Sequence, residues 1–266
     1  MRLGFIGCGK MAAALAEGVL KAGVFSREDI FVSDRYAKAA EALAKKTGVQ
    51  LRASNGEVAA DADTMLLCVK PGDVPDALQE IRGGKNKLVI SIAAGVTLHT
   101  LQQHGGDSIR FVRVMPNTPA LIHKGATAYA IGASATGDDA ALTEKIFAAV
   151  GKVFRVKEEL LDVVTGLSGS GPAYVYVVVE ALADAGVLMG LPRELALDLA
   201  AQTVAGAAEM VLQTKMHPAQ LKDMVTSPGG TTIAGLEALE AAGIRSAFLS
   251  AVRAATERSR ELGAEN

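Results

Sequence analysis

The first half of the chain alternates short apolar, β-branched runs with stretches of helical spacing. Residues 2–6, 30–33, 64–69, 87–92, 109–114 and 126–131 read as strands, each a brief run of Val, Ile, Leu, Phe or Ala beside turn residues. Between the first two, apolar positions over 10–22 recur at helical spacing, and 37–46 repeats the pattern. Strands separated by helices of this length predict an α/β fold, a doubly wound and mostly parallel sheet built from βαβ units. Gly48, the Gly83-Gly84 pair and the Gly105-Gly106 pair break the pattern as connections.

After about Val156 the strand pattern stops. Pro172 predicts the start of a helix that reaches Met189 and ends at Gly190, and Pro192 starts another reaching about Lys215. A short helix over 219–225, a loop at 227–232 and a helix from Ile233 follow. Last, Ile244, Ala247, Phe248, Ala251, Val252 and Ala255 form an apolar stripe that leaves Arg245, Arg253 and Arg258 outside it. No internal repeat or low-complexity segment interrupts this plan.

The stretch 173–189 is apolar on nearly every face, broken only by Glu180 and Asp184. A helix of that kind must be buried all round, and its own domain is small for the task. It is expected to meet its copy across a twofold axis, the alternative being the central helix of a monomeric bundle. Glu180 is then expected to be a buried, hydrogen-bonded polar group. The run falls short of the roughly 20 apolar residues that span a bilayer, so no membrane insertion is expected.

Composition narrows the partners. In 266 residues, 50% are hydrophobic but only 4% aromatic and none is Trp, so small side chains build the core. A net charge of −2 and a pI near 6.1 argue against a surface for nucleic acid or anionic lipid. Cys8 and Cys68, without CxxC or zinc-like spacing, suit a reducing cytoplasmic setting. No secretory leader pattern follows Met1-Arg2, and no metal-ligand constellation appears.

The chemistry-bearing motifs sit at strand ends. Gly7-Cys8-Gly9-Lys10-Met11-Ala12 follows the first strand and opens the first helix, the strand–turn–helix context of a dinucleotide turn. Gly7 permits the tight turn, Gly9 the approach of a pyrophosphate, Ala12 close helix–sheet packing, and the helix N-terminus faces the phosphates. Ser33-Asp34-Arg35 ends the second strand. An inward Asp34 there would bind the ribose of NAD, whereas Arg35 with Ser33 would accommodate a 2′-phosphate, and NADP is the favoured cofactor. Cys68-Val69-Lys70-Pro71 ends a parallel strand at its ligand-binding edge, with Pro71 holding Lys70 out of helical geometry. Val69 and Pro71 are placed to pack on the nicotinamide end. Ala93, Ala94 and Gly95 leave room after the next strand. Asn117, in Met115-Pro116-Asn117-Thr118-Pro119, either braces neighbouring loops or faces the nicotinamide.

The loop Ser227-Pro228-Gly229-Gly230-Thr231-Thr232 holds two glycines and two hydroxyls ahead of a helix, a means of binding an anion through backbone N–H groups. His99, His104, His123 and His217 fall in no catalytic motif and read as surface or helix-end residues. Ser168 and Ser170 have no neighbouring base, so neither reads as a nucleophile, and Ser170 reads as a cap beside Pro172.

Together with Gly166-Leu167-Ser168-Gly169-Ser170-Gly171-Pro172-Ala173-Tyr174, these motifs resemble the pyrroline-5-carboxylate reductase family over essentially the whole chain. Lys70-Pro71, Ala93-Ala94-Gly95-Val96, Asn117-Thr118-Pro119 and Leu221-Lys222-Asp223 match the family pattern in order. The resemblance implies an N-terminal Rossmann domain, 1–156, and a helical dimerisation and substrate-binding domain, 157–266, in dimers that can assemble into larger rings. It implies a cofactor site at Ile6, Gly7, Cys8, Gly9, Lys10, Met11, Ser33, Asp34, Arg35, Asn55, Val69, Lys70, Pro71, Ala93 and Ala94. Asn55 carries no signal of its own. It implies a substrate site at Gly229, Gly230, Thr231 and Thr232. Where some relatives carry further polar contacts, this chain has Lys215 and Met224.

The implied reaction is NADPH-dependent reduction of (S)-1-pyrroline-5-carboxylate to L-proline, with NADH as the other possible donor. It asks for positioning and a protonated imine more than a nucleophile. Thr232 is expected to hydrogen-bond the ring nitrogen, the bland alternative being a plain helix cap. A reductase of another cyclic imino acid stays open. A β-hydroxyacid dehydrogenase is disfavoured, because the lysine of its GxGxxxK motif, counted from Gly169, would fall at Val175. A non-catalytic nucleotide-binding regulator would have no need of the anion loop. If the helical domains interlock, the loop is expected to complete the partner's site.

Overall fold

The computed structural model describes residues 1–83 and 86–265, Glu265 by its backbone alone, and the chain forms two compact units. Met1–Ser170 with the C-terminal residues from Arg253 make the first; Gly171–Val252 make the second. The break expected at Gly84 lies outside the described residues.

Among the described residues the first unit contains an eight-stranded sheet: β1 (Leu3–Ile6), β2 (Ile30–Ser33), β3 (Gln50–Leu51), β4 (Thr64–Leu67), β5 (Lys87–Ser91), β6 (Ile109–Met115), β7 (Gly125–Ile131) and β8 (Gly151–Arg155). Their spatial order is 3-2-1-4-5-6-7-8, and only the β6–β7 pair is antiparallel. From β1 the chain steps outward to β2 and β3, then returns to β4 on the other flank. That reversal leaves a crevice beyond the carboxyl ends of β1, β2 and β4. Ile6 is in register with Ser33 and Leu67, so Gly7, Asp34 and Cys68 leave the sheet side by side.

Six strands lie where the apolar runs predict them. β3 and β8 do not announce themselves: one has two residues, and the other, Gly-Lys-Val-Phe-Arg, is half exposed. Helices α1 (Lys10–Lys21), α2 (Ala37–Thr47), α3 (Asn55–Asp61), α4 (Val74–Glu80), α5 (Leu98–Gly105) and α6 (Gly137–Ala148) complete the crossovers. Two large apolar clusters result, one around Phe5, Leu15, Val32 and Phe147, the other around Ile6, Met65, Leu78 and Phe111, with a small third around Ala128, Ala130 and Leu161. Consecutive residues Phe5 and Ile6 enter opposite clusters because strand side chains alternate and both faces are covered.

α7 (Leu161–Val164) continues through a wider π-type turn, Thr165–Gly169, into α8 (Gly171–Leu188). Pro172 is the second residue of α8, so the start expected there holds to within one residue, with α7 and the π-type turn preceding it. Ser170 stands between the π-type turn and α8, and its N–H donates to the Thr165 carbonyl at 2.8 Å, closing the π turn. Pro172 lacks the N–H that would reach the Ser168 carbonyl one turn back. Asn117 Nδ2 donates to that oxygen instead, at 3.0 Å.

The second unit holds α8, α9 (Arg193–Thr214), α10 (Pro218–Met224), α11 (Thr231–Ala241) and the start of α12 (Ile244–Glu265). Gly190, at φ +101, ends α8, and Pro192 precedes α9, as their residue types require. α8 and α9 meet over Ala183, Ala196 and Ala200, which are the buried hydrophobics of this unit. Tyr176, Val177, Leu182 and Leu199 stay exposed. Glu180 is exposed too, on a face of α8 that a single chain leaves open. Glu158–Leu188 and Arg193–Thr214 are both long and apolar enough to cross a membrane, contrary to the length argument from 173–189.

Candidate active site

The crevice at the β1 end is a cleft of about 430 Å³ lined by Gly7, Gly9, Arg35, Asn55, Val69 and Lys70 among others. Gly7 sits at φ +93, and a Cβ there would lie 2.7 Å from the Cys68 carbonyl oxygen. Only glycine fits both demands. Gly9 precedes α1, and a Cβ added to it would meet nothing within 4 Å, so the backbone is open to a bulky anion. No acidic residue occupies the first turn of α1, and Ala12 beneath it is fully buried. This is the cradle that a pyrophosphate requires.

At the end of β2, Ser33 Oγ donates to Asn55 Oδ1 at 2.7 Å. Asn55 thereby joins the cleft, beside β2. Its helix start was legible after all: Ser54 Oγ accepts from Glu57 N at 3.2 Å, and Glu57 Oε2 from Ala53 N at 3.0 Å, the Ser-x-x-Glu signature of a helix N-terminus. Asp34 uses both carboxylate oxygens on backbone, accepting from Cys8 N at 2.6 Å and Tyr36 N at 2.8 Å. It pins the glycine turn to β2. Arg35 extends over the cleft and pairs with Asp73 and Asp76.

Cys8 and Cys68 flank the turn as free thiols. Burial, then the Asp34 charge, pushes Cys8 up to about 12, and burial raises Cys68 as well. Both are protonated at neutral pH, so neither is a nucleophile.

The remaining cofactor candidates divide. Lys70 is extended at ψ 152, as Pro71 demands, and both stand with Val69 just beyond β4. Ala93 and Ala94 follow β5. Lys10 is exposed at the first turn of α1. Ile6 and Met11 point into the apolar clusters on either side of the sheet, so only their backbone borders the turn. Asn117 is a brace: besides Ser168, it accepts from Ala126 N at 2.8 Å, tying β7 to the π turn. Ser168 Oγ donates to the Val164 carbonyl one turn back.

In the second unit, His217 caps α10 in a reciprocal pair with Gln220, as a helix-end residue. The loop after it turns at Gly229, φ +67, and the Gly230 N–H donates to Ser227 O at 3.1 Å. That donor is spent. α11 begins at Thr231 rather than Ile233, with Gly230 at the cap position and no side chain capping it. Thr231 and Thr232 thus occupy the first turn, where their N–H groups have no carbonyl a turn earlier to bond. The half-buried Thr232 hydroxyl has no hydrogen-bond partner among the described residues. The capping alternative for Thr232 is removed.

An open glycine cradle at the switch point of a doubly wound sheet, joined to an all-helical unit, defines a nucleotide-linked oxidoreductase of two-domain plan. Residues 2–95 match the family model for coenzyme F420-dependent NADP oxidoreductases, and 158–262 match the pyrroline-5-carboxylate reductase dimerisation model. The chain is 49% identical to the pyrroline-5-carboxylate reductase of Methanosarcina acetivorans, over 98% of both chains, and 48% to that of Glycine max, over 98% and 95%. It is similar to the structure of the Plasmodium falciparum enzyme with NADP bound (TM-score 0.88, 36% identity, 99% and 98% covered). It is similar also to that of Coxiella burnetii (TM-score 0.91, 38% identity, 98% of both). The chain belongs to the pyrroline-5-carboxylate reductase family.

Proposed function

We propose that the protein reduces (S)-1-pyrroline-5-carboxylate to L-proline with NADPH, the last step of proline biosynthesis. The observation that carries the reading is the cradle at Gly7 and Gly9, in a chain of this family. When bound, NADPH supplies the hydride that the imine carbon accepts. Residues 1–156 hold the cofactor: Gly7, Cys8, Gly9 and Lys10 at the pyrophosphate, Ser33, Arg35 and Asn55 at the 2′-phosphate, and Val69, Lys70, Pro71, Ala93 and Ala94 toward the nicotinamide. Asp34 enters through the turn it pins. Ile6 and Met11 enter through backbone.

Residues 157–266 dimerise and bind the substrate. The free N–H groups of Thr231 and Thr232, at the positive end of α11, hold the carboxylate, and Gly229 and Gly230 shape the loop for it. The Thr232 hydroxyl bonds the ring nitrogen as it becomes an amine. Backbone donors of this kind need no counter-cation, which suits a loop without Lys or Arg.

α8 and α9 are covered by a second copy rather than by lipid. Glu180 and Asp184 on α8, and Glu194, Asp198 and Glu209 on α9, support this, since carboxylates within a bilayer are costly. The dimers assemble further into rings, and the protein works in the cytoplasm, consistent with two thiols left free.

Purified protein with pyrroline-5-carboxylate and NADPH or NADH tests the reading directly. Imine-dependent oxidation, faster with NADPH, is expected; none with either cofactor sinks it. A hydroxyacid with NADP⁺ serves as the parallel control. Thr232→Ala should lower kcat by about a hundredfold, the scale of one lost positioned donor, with melting temperature unchanged.

A further inference from the structure

The cofactor cleft carries more carboxylates than cations, an odd lining for a ligand rich in phosphate. Asp34, Asp73, Asp76 and Glu80 border it, against Arg35 and Lys70. Asp34 is committed to the backbone of the glycine turn. Arg35, at the end of β2, is held by Asp73 at 3.3 Å and Asp76 at 3.6 Å, both at the start of α4. The cation best placed for a 2′-phosphate is therefore already engaged, by two carboxylates that line the same cleft.

We propose that Asp73 and Asp76 form an acidic strap that sets cofactor selectivity by competing for Arg35. This rests on the reading that the cleft takes a nicotinamide dinucleotide. Binding NADPH exchanges two carboxylates on one guanidinium for a phosphate dianion, a stronger partner for that fork of donors. NADH, with a hydroxyl in place of the phosphate, has nothing to offer Arg35 and leaves the strap closed. The strap weakens NADPH binding relative to NADH, and the chain's discrimination is smaller than Arg35 alone would give. The side chains are 68%, 46% and 70% exposed, so each pair is weak and opens without a large barrier.

Equilibrium titration of the full chain, read by nicotinamide fluorescence, tests this with five proteins: wild type, Asp76→Asn, Asp73→Asn/Asp76→Asn, Arg35→Ala, and Asp73→Asn/Asp76→Asn/Arg35→Ala. The double asparagine variant should tighten NADPH about three- to tenfold more than NADH. In the Arg35→Ala background the same asparagines should shift the NADPH/NADH ratio by less than half that factor. Asp76→Asn alone, on an exposed side chain, should give part of the gain. Equal shifts for both cofactors would overturn the strap. So would a full gain without Arg35, which would mean plain repulsion of the phosphate. If wild type binds neither cofactor, the dinucleotide reading falls and the strap with it; if it binds both and the ratio is unmoved, only the strap falls.

Discussion

Phe5, Leu15 and Ile90 in the first unit are completely buried by their own chain, whereas Tyr176, Val177 and Leu182 on α8 lie open in the second. Both regions are rich in apolar side chains, so composition does not separate them. Enclosure does. A sheet with helices on both faces closes its own core. A few helices packed through alanines do not, and Tyr176, Val177, Leu182 and Leu199 are left exposed, the kind of apolar surface that marks an association face. The first unit is built to fold around a cofactor turn, the second to be finished by another copy.

Charge placed on the open face should break that comparison most severely. Val177→Asp is expected to yield monomers by light scattering and to lose over about a hundredfold in activity, while NADPH titration of the first unit is retained. A dimer of full activity would show that α8 is not at the interface. Next comes Gly7→Ala: a methyl against the Cys68 carbonyl at positive φ should weaken NADPH at least about tenfold and leave the dimer intact.

Truncations within each region sharpen the contrast. Leu15→Ala should cost about 2–5 kcal/mol in denaturant unfolding at any protein concentration. Val177→Ala should cost a variable amount that grows as the protein is diluted, because the contact it removes belongs to association. A concentration-independent cost would place Val177 in an intrachain core.

The smallest effect is a pH dependence confined to the first unit. Burial pushes Asp139 up, but hydrogen bonds from Arg110 and Thr136 outweigh it and hold the carboxyl below the usual carboxylate range. Its folded pKa is depressed, so its stabilisation is complete above the ordinary carboxylate range and is lost as pH falls through the lowered value. Asp139→Asn should flatten the acid limb of stability and leave the NADPH titration unchanged. An unaltered acid limb would show that the pair contributes nothing.

Much of the first unit was legible because strand and helix periods act locally. The six main strands, α1, α2 and the Gly7–Gly9 turn follow from runs of a few residues. β3 and β8 escaped, being too short or too polar to carry a period, and they exist because neighbouring strands offer partners. Pro172 marks the start of α8 to within one residue, but the turns before it and the bond from Asn117 to the Ser168 carbonyl involve partners distant in sequence. At the candidate site the residue types were readable and their partners were not. An inward Asp34 would bind a ribose, but its oxygens accept from the Cys8 and Tyr36 backbone. Asn55 had only the family resemblance to recommend it, and the Ser33 hydroxyl that meets it comes from 22 residues away in the chain.

The sequence by itself determined the doubly wound sheet, the glycine cradle, the helical second half and the family, because periodicity and short motifs are set by residues close in the chain. Tertiary structure decided the rest: which donors are free at Thr231 and Thr232, that Arg35 is already paired, and that α8 lacks cover. Those properties depend on groups brought together from distant positions, whose competition for hydrogen bonds, charge and buried surface no local pattern records.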